Sequence, residues 1–159
     1  MIAQTKRILS DLIAFSTVSA DSNLHMISYL AQRLEACGAR VDVAQDPSGQ
    51  KANLSATLEP DCGGGIVLSG HSDVVPVTDQ DWASDPFEMV ERDGLLFGRG
   101  TCDMKGFIAA ALAMAPQFAQ QVRARPLHFA FTYDEEVGCL GARQLAQFLT
   151  DRGIGRDYW

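Results

Sequence analysis

Three stretches of this sequence carry the residue types that do chemistry: Ser69-Gly70-His71-Ser72-Asp73, Gly98-Arg99-Gly100-Thr101-Cys102-Asp103-Met104-Lys105-Gly106 and Asp134-Glu135-Glu136. An imidazole and several carboxylates at the ends of apolar strands make the donor set that hard and borderline divalent cations prefer, zinc above all. One ring nitrogen of His71 can face a cation while Asp73 accepts a hydrogen bond from the other or buttresses the loop. Asp103 stands at the start of an apolar helix and reads either as a helix N-cap or as a buried carboxylate bridging two cations; the glycine turns before it favour the bridge. Consecutive acids at a strand terminus repel one another, a cost that a divalent cation removes. One of them can bind metal while its neighbour acts as base, although a solvated acidic helix entry would look similar. The chemistry this set suits is metal-assisted hydrolysis.

The elements that must position these groups follow from the apolar period. Ile8, Leu9, Leu12, Ile13 and Phe15 recur at helical spacing, and Ser16-Thr17-Val18-Ser19 breaks that helix. A second helix is expected from an N-cap at Ser22, with Leu24, Ile27, Leu30, Ala31 and Leu34 inward and Gly38 as its stop. Arg40 to Val43 and Asn53 to Leu58 read as strands around a turn at Asp46-Pro47-Ser48-Gly49-Gln50. Asp61-Cys62-Gly63-Gly64-Gly65 lacks the Gly-Lys-Ser/Thr of a phosphate loop and reads as a turn. Ile66-Val67-Leu68 is an unbroken apolar run, expected to be a strand covered on both faces that delivers His71 at its carboxyl end.

Asp93-Gly94 between alternating segments predicts a hairpin. A largely buried helix over Met104 to Met114 follows, then a strand over Pro126 to Tyr133 ending at the acids, and a last helix from about Gly138 with Leu145, Phe148 and Leu149 inward. The fold class expected is α/β, with a mixed, largely parallel sheet flanked by helices. His25 reads as a surface residue and His128, inside its strand, as a core or surface residue.

The 159 residues suffice for one domain with a real core. A hydrophobic fraction of 47% with 21% charged residues argues against disorder. Thirteen Lys and Arg against 20 Asp and Glu give a net charge of −7, which with no basic patch excludes nucleic acid and anionic membrane surfaces as expected partners. No apolar run approaches a membrane span and the N-terminus does not read as a secretory signal, so a cytoplasmic location is expected. Cys37, Cys62, Cys102 and Cys139 show no C-x-x-C pair and read as reduced thiols.

With Trp82 and Asp85-Pro86-Phe87 added, these motifs together resemble the zinc-dependent aminoacylase and carboxypeptidase superfamily, and within it the acetylornithine deacetylase branch. The likeness covers the chain up to about Arg152. It implies that His71 binds one zinc, Asp103 bridges two, Glu136 binds the other, Glu135 is the general base, and Asp73 joins the catalytic set as the support of His71. Cobalt or manganese would suit much the same ligands. It further implies hydrolysis of N-acetylornithine to ornithine and acetate, with succinyl-diaminopimelate or another N-acyl amino acid or dipeptide as the alternative small-molecule substrate, and a cis peptide at Asp103-Met104.

Family members carry a further carboxylate ligand and a distant histidine ligand, and a smaller α+β domain through which complete relatives form homodimers. Residues 1–159 are therefore expected to be the N-terminal part of the catalytic domain, a weak metal binder with little activity and poor solubility by itself. A non-catalytic remnant of the fold and a plain acidic domain are the two other classes in play.

Overall fold

In a computed structural model of the chain, which describes residues 1–60, 64–121 and 124–152, three helices cover one face of a four-stranded sheet and a fourth covers the other. The elements in order are α1 (Ile2–Ile13), α2 (Leu24–Glu35), β1 (Arg40–Gln45), β2 (Ala52–Leu58), β3 (Ile66–His71), β4 (Val90–Arg92), β5 (Leu95–Phe97), α3 (Lys105–Gln120), β6 (Leu127–Thr132) and α4 (Leu140–Asp151). The expected turn at 61–65 and Cys62 fall largely outside the described residues, as does the segment 153–159.

Alternation along the two central strands separates the faces. Ala52, Leu54, Ala56 and Leu58 of β2, with Leu127, Phe129 and Phe131 of β6, join Ile8, Leu12, Leu30, Leu34, Ile108 and Leu112 from α1, α2 and α3 in the main core. On the opposite face Ala130 packs against Leu145 and Leu149 of α4. Asn53 on that face donates to the Gly141 carbonyl at 2.9 Å and to Gln144 Oε1 at 3.0 Å, fixing the start of α4. His128 proves to be a satisfied core residue, with Nδ1 2.9 Å from Thr57 Oγ1 and Nε2 3.1 Å from the Gly64 carbonyl, while His25 is exposed.

The sheet order is β1-β2-β6-β3, and here the structure corrects the expectation of a largely parallel sheet. Among the described strands of this sheet only β3 and β6 run parallel; β1–β2 and β2–β6 are antiparallel. The link between β1 and β2 is too short for a crossover, and Asp46 closes it by accepting the backbone N–H groups of Ser48, Gln50 and Lys51. The excursion through the β4–β5 hairpin and α3 is long enough to cross over, and it inserts β6 between β2 and β3.

The structure also corrects the expected covering of β3: the strand lies at an edge of the described sheet and Ile66 is 66% exposed. Asn23 and not Ser22 precedes α2, and its side chain joins Ala52 and Ser72 instead of capping the helix. The apolar stripe carries α3 past Pro116 to Gln120. Asp93 and Gly94 take φ values of 54° and 77°, the left-handed pair that a two-residue hairpin needs.

Candidate metal centre

The parallel pairing of β3 and β6 assembles the site. His71 is in register with Thr132, so the carboxyl end of β3 and the Asp134-Glu135-Glu136 turn after β6 emerge side by side. The loop after His71 is held in place as Ser72 N–H and Oγ both donate to the Thr132 carbonyl at 2.8 Å. The segment after α1 runs beside it, Thr17 Oγ1 donating to the Ser72 carbonyl at 2.6 Å and Val74 N–H to the Thr17 carbonyl at 2.9 Å.

Asp73 is the hub of the turn. Its side chain is 3% exposed, and it accepts Ser19 Oγ at 2.6 Å, Glu135 N–H at 3.0 Å and Glu136 N–H at 3.2 Å. Its backbone carbonyl, 3.0 Å from His71 Nδ1, accepts that ring N–H, while its carboxylate is 3.5 Å away. Asp73 thus meets His71 through its backbone carbonyl, while two of the three hydrogen bonds to its carboxylate come from the amides of Glu135 and Glu136.

His71 Nε2 lies 3.0 Å from Asp103 Oδ1 and 3.9 Å from Glu135 Oε2. Ligand atoms of His71, Glu135 and Glu136 all fall within 4.8 Å of one another, a grouping able to hold a metal ion. Asp103 touches His71 but stands outside that group. The burial expected of Asp103 is corrected, since its side chain is 74% exposed; the N-cap alternative also falls away, because the N-cap of α3 is Met104 with no side-chain bond. The cis peptide expected between Asp103 and Met104 is present. Nor do the acids form a helix entry, because α4 starts at Leu140 with no acidic residue in its first turn.

The donor set fits a divalent cation. Nδ1–H bonded to the Asp73 carbonyl leaves Nε2, 3.0 Å from Asp103 Oδ1, as the nitrogen that would ligate a metal. Burial by itself would lower the His71 pKa, but the hydrogen bonds to Asp73 and Asp103 outweigh it and raise it to about 9. Burial would raise the Asp73 carboxyl, yet His71, Ser19 and the two amides bring it down to about 2. Burial also pushes Glu136 up, with neighbouring Asp103 and Glu135 adding to the shift and His71 opposing it. Its negative charge is thus disfavoured until a cation joins it.

Ser19, Lys51 and Lys105 are given no role by the sequence reading. Ser19 sat within a helix break, and nothing marked it beyond its type. Lys51 donates from Nζ to the Ser19 carbonyl and to Asp134 Oδ1. Lys105 is 0% exposed, its Nζ donating to the Phe15 carbonyl at 2.6 Å. Gly100 makes room for its stem, since a Cβ there would lie 3.1 Å from Lys105 Cδ. Trp82 lies under the Arg99 guanidinium, 5.1 Å from ring centroid to Cζ. Cys102 and Cys139 are exposed free thiols beside the site.

These shifts set the pH response of the chelator-treated protein. Asp73, at about 2 when folded and about 3.9 unfolded, contributes stability above pH ~4 that is lost as pH falls through about 2. His71, at about 9 when folded, contributes stability below pH ~6.5 that is lost as pH rises through about 9. Lys105 acts in the opposite sense, because burial lowers it to about 7 against only partial opposition from Asp73, so its contribution rises with pH from there to ~10.4. Between pH 7 and 9 the two nearly cancel, and the urea midpoint is expected to stay flat. Lys105→Met is expected to unmask a falling midpoint over that range; a flat profile in the variant would show that His71 is not protonated in the native state.

A sequence profile of peptidase family M20/M25/M40 matches residues 67–158. An acetylornithine deacetylase of Myxococcus xanthus is 42% identical over 154 residues, covering 93% of this chain and 38% of its own length. One from Pasteurella multocida is 39% identical over 145 residues, covering 87% of this chain and again 38% of its own. Among solved structures, human carnosine dipeptidase 1 superposes with a TM-score of 0.82 at 26% identity, over 95% of this chain and 36% of the dipeptidase. The chain thus spans little more than a third of the length of the relatives it matches. Among the described residues no helix is long and apolar enough to cross a membrane.

Proposed function

The chain belongs to peptidase family M20/M25/M40, and from that premise we propose that it carries part of the metal centre of an amide hydrolase acting on N-acetylornithine. The observation that carries this reading is the convergence of His71, Glu135 and Glu136 at the ends of two parallel strands, held there by Asp73. The identities near 40% to acetylornithine deacetylases support the substrate. Likeness to a carnosine dipeptidase supports a second reading, hydrolysis of a dipeptide. Succinyl-diaminopimelate is a further N-acyl candidate.

In this proposal His71, Asp103 and Glu136 would hold the metal, and zinc is the expected one. What the metal supplies when bound is a nucleophilic water at neutral pH and positive charge at the acyl oxygen. Glu135, exposed at 45% of its side chain and 3.9 Å from His71 Nε2, takes the proton of the attacking water and returns it to the leaving amine. Asp73 keeps the His71 tautomer fixed and the backbone of Glu135 in place through both events. The exposure of Asp103 and Glu135 gives a substrate open access to the reacting side.

Titration with cobalt, followed by its visible absorption, is the direct test. Saturable binding by the protein, lost in His71→Ala, is expected, and release of ornithine from N-acetylornithine against release of histidine from carnosine then separates the two substrate readings. Absence of any cobalt or zinc binding by a folded, monodisperse sample would sink the proposal.

A further inference from the structure

We propose that Lys51 is a positioning residue for Glu135 and Glu136, an assignment that rests on the reading of those two acids as base and metal ligand. Lys51 immediately precedes β2. Its Nζ donates to the Ser19 carbonyl and pairs with Asp134 Oδ1, with side chains only 15% and 9% exposed.

Each partner of Lys51 is one step from a group that holds the acids. Ser19 donates its hydroxyl to Asp73, and Asp73 accepts the amide N–H groups of Glu135 and Glu136. Asp134 is bonded directly to Glu135 and takes a φ of 54°, in the left-handed region that Asp enters more readily than most non-glycine residues. Lys51 thereby closes a ring that runs through Ser19, Asp73, the two amides and Asp134. The turn carrying the acids is gripped from both sides, from the front through its N–H groups and from behind through Asp134.

The charge balance gives the grip its sense. Asp134 and Asp73 are two buried carboxylates behind a cluster of further acids, and Lys51 is the cation placed against the first of them. Without it the Asp134 carboxylate would be buried and unpaired, a costly state. It is relieved by swinging the turn outward to hydrate the carboxylate, and Glu135 and Glu136 go with it. A residue that merely stabilised the fold would, on removal, loosen β2 and α2 as well, since it sits at the start of β2.

Amide hydrogen exchange on Lys51→Met and Lys51→Arg tests this with metal chelated. In Lys51→Met the amides of Glu135 and Glu136 are expected to exchange faster while those of β2 and α2 keep their protection, and Lys51→Arg is expected to restore the native pattern. Cobalt affinity should fall about 10- to 100-fold in Lys51→Met, the range for lost outer supports of metal ligands, and recover in Lys51→Arg. Unchanged exchange at Glu135 and Glu136, or a uniform acceleration throughout the chain, overturns the proposal. Should wild-type protein bind no metal, the reading of the acids as ligand and base fails, while the exchange pattern still decides whether Lys51 positions them.

Discussion

Asp73→Ala is expected to lower stability by about 3–5 kcal/mol, the cost of removing one partner from a buried charged network, and to weaken metal binding more than any change outside the ligands. The Asp73 side chain is 3% exposed, and its removal strands the Ser19 hydroxyl and the amides of Glu135 and Glu136 without acceptors. Each buried donor left unmade costs on the order of 1–3 kcal/mol. It also deprives His71 of the neighbour that does most to raise its pKa toward 9. Urea unfolding in chelator reads the first effect and an NMR titration of the His71 ring reads the second, with the ring pKa expected to drop toward or below ~6.5. Asp73→Asn separates volume from charge: it fills the same space but turns an amide group toward donors, so it should recover little. A ring that still titrates near its native value in Asp73→Ala would mean that Asp103 and the residue 73 carbonyl, which the substitution leaves in place, suffice to keep it protonated.

The same hub shows where the sequence was legible and where it was not. The stripe of Ile8, Leu9, Leu12 and Ile13 is buried as its spacing implies, and the ends of β3 and β6 deliver the imidazole and the acids that the sequence placed there. Period reports which face of a strand is apolar; it is blind to strand direction, so the antiparallel run of β1, β2 and β6 could not be read from it. The apolar run Ile66-Val67-Leu68 could equally be a covered strand or an edge, and Ile66 at 66% exposure shows the edge. Long-range polar pairing leaves still less trace. Ser19, Lys51 and Lys105 meet partners far away in sequence, 54, 83 and 90 positions off, and each looks locally like a solvated residue. The burial expected of Asp103 errs in the opposite direction, since its carboxylate is exposed and lies 3.0 Å from His71 Nε2.

Glu135→Gln is expected to cut the hydrolysis of the favoured substrate by about 100- to 10,000-fold, the usual worth of a positioned base, with cobalt binding nearly unchanged; Glu136→Gln is expected to lose cobalt binding instead. Both acids lie in the same group with His71, so their proximity alone does not divide the roles. Their surroundings favour the proposed division. Glu136 is half-buried among Asp103, Glu135 and Asp73, and its carboxyl is pushed up by burial first and by those charges next, so a cation relieves it more than it would a solvated acid. Glu135 has an open side chain on a backbone fixed by Asp73, the combination that a proton carrier needs: a steady base and a side free to meet water and the leaving amine. Glutamine preserves shape and one oxygen in either position, which keeps the fold constant between the two variants. The division of roles predicts opposite readouts, turnover lost with metal kept for one and metal lost for the other. Loss of cobalt binding in Glu135→Gln with retention in Glu136→Gln would exchange the two assignments, because a carboxylate that holds the metal cannot at the same time be the free base.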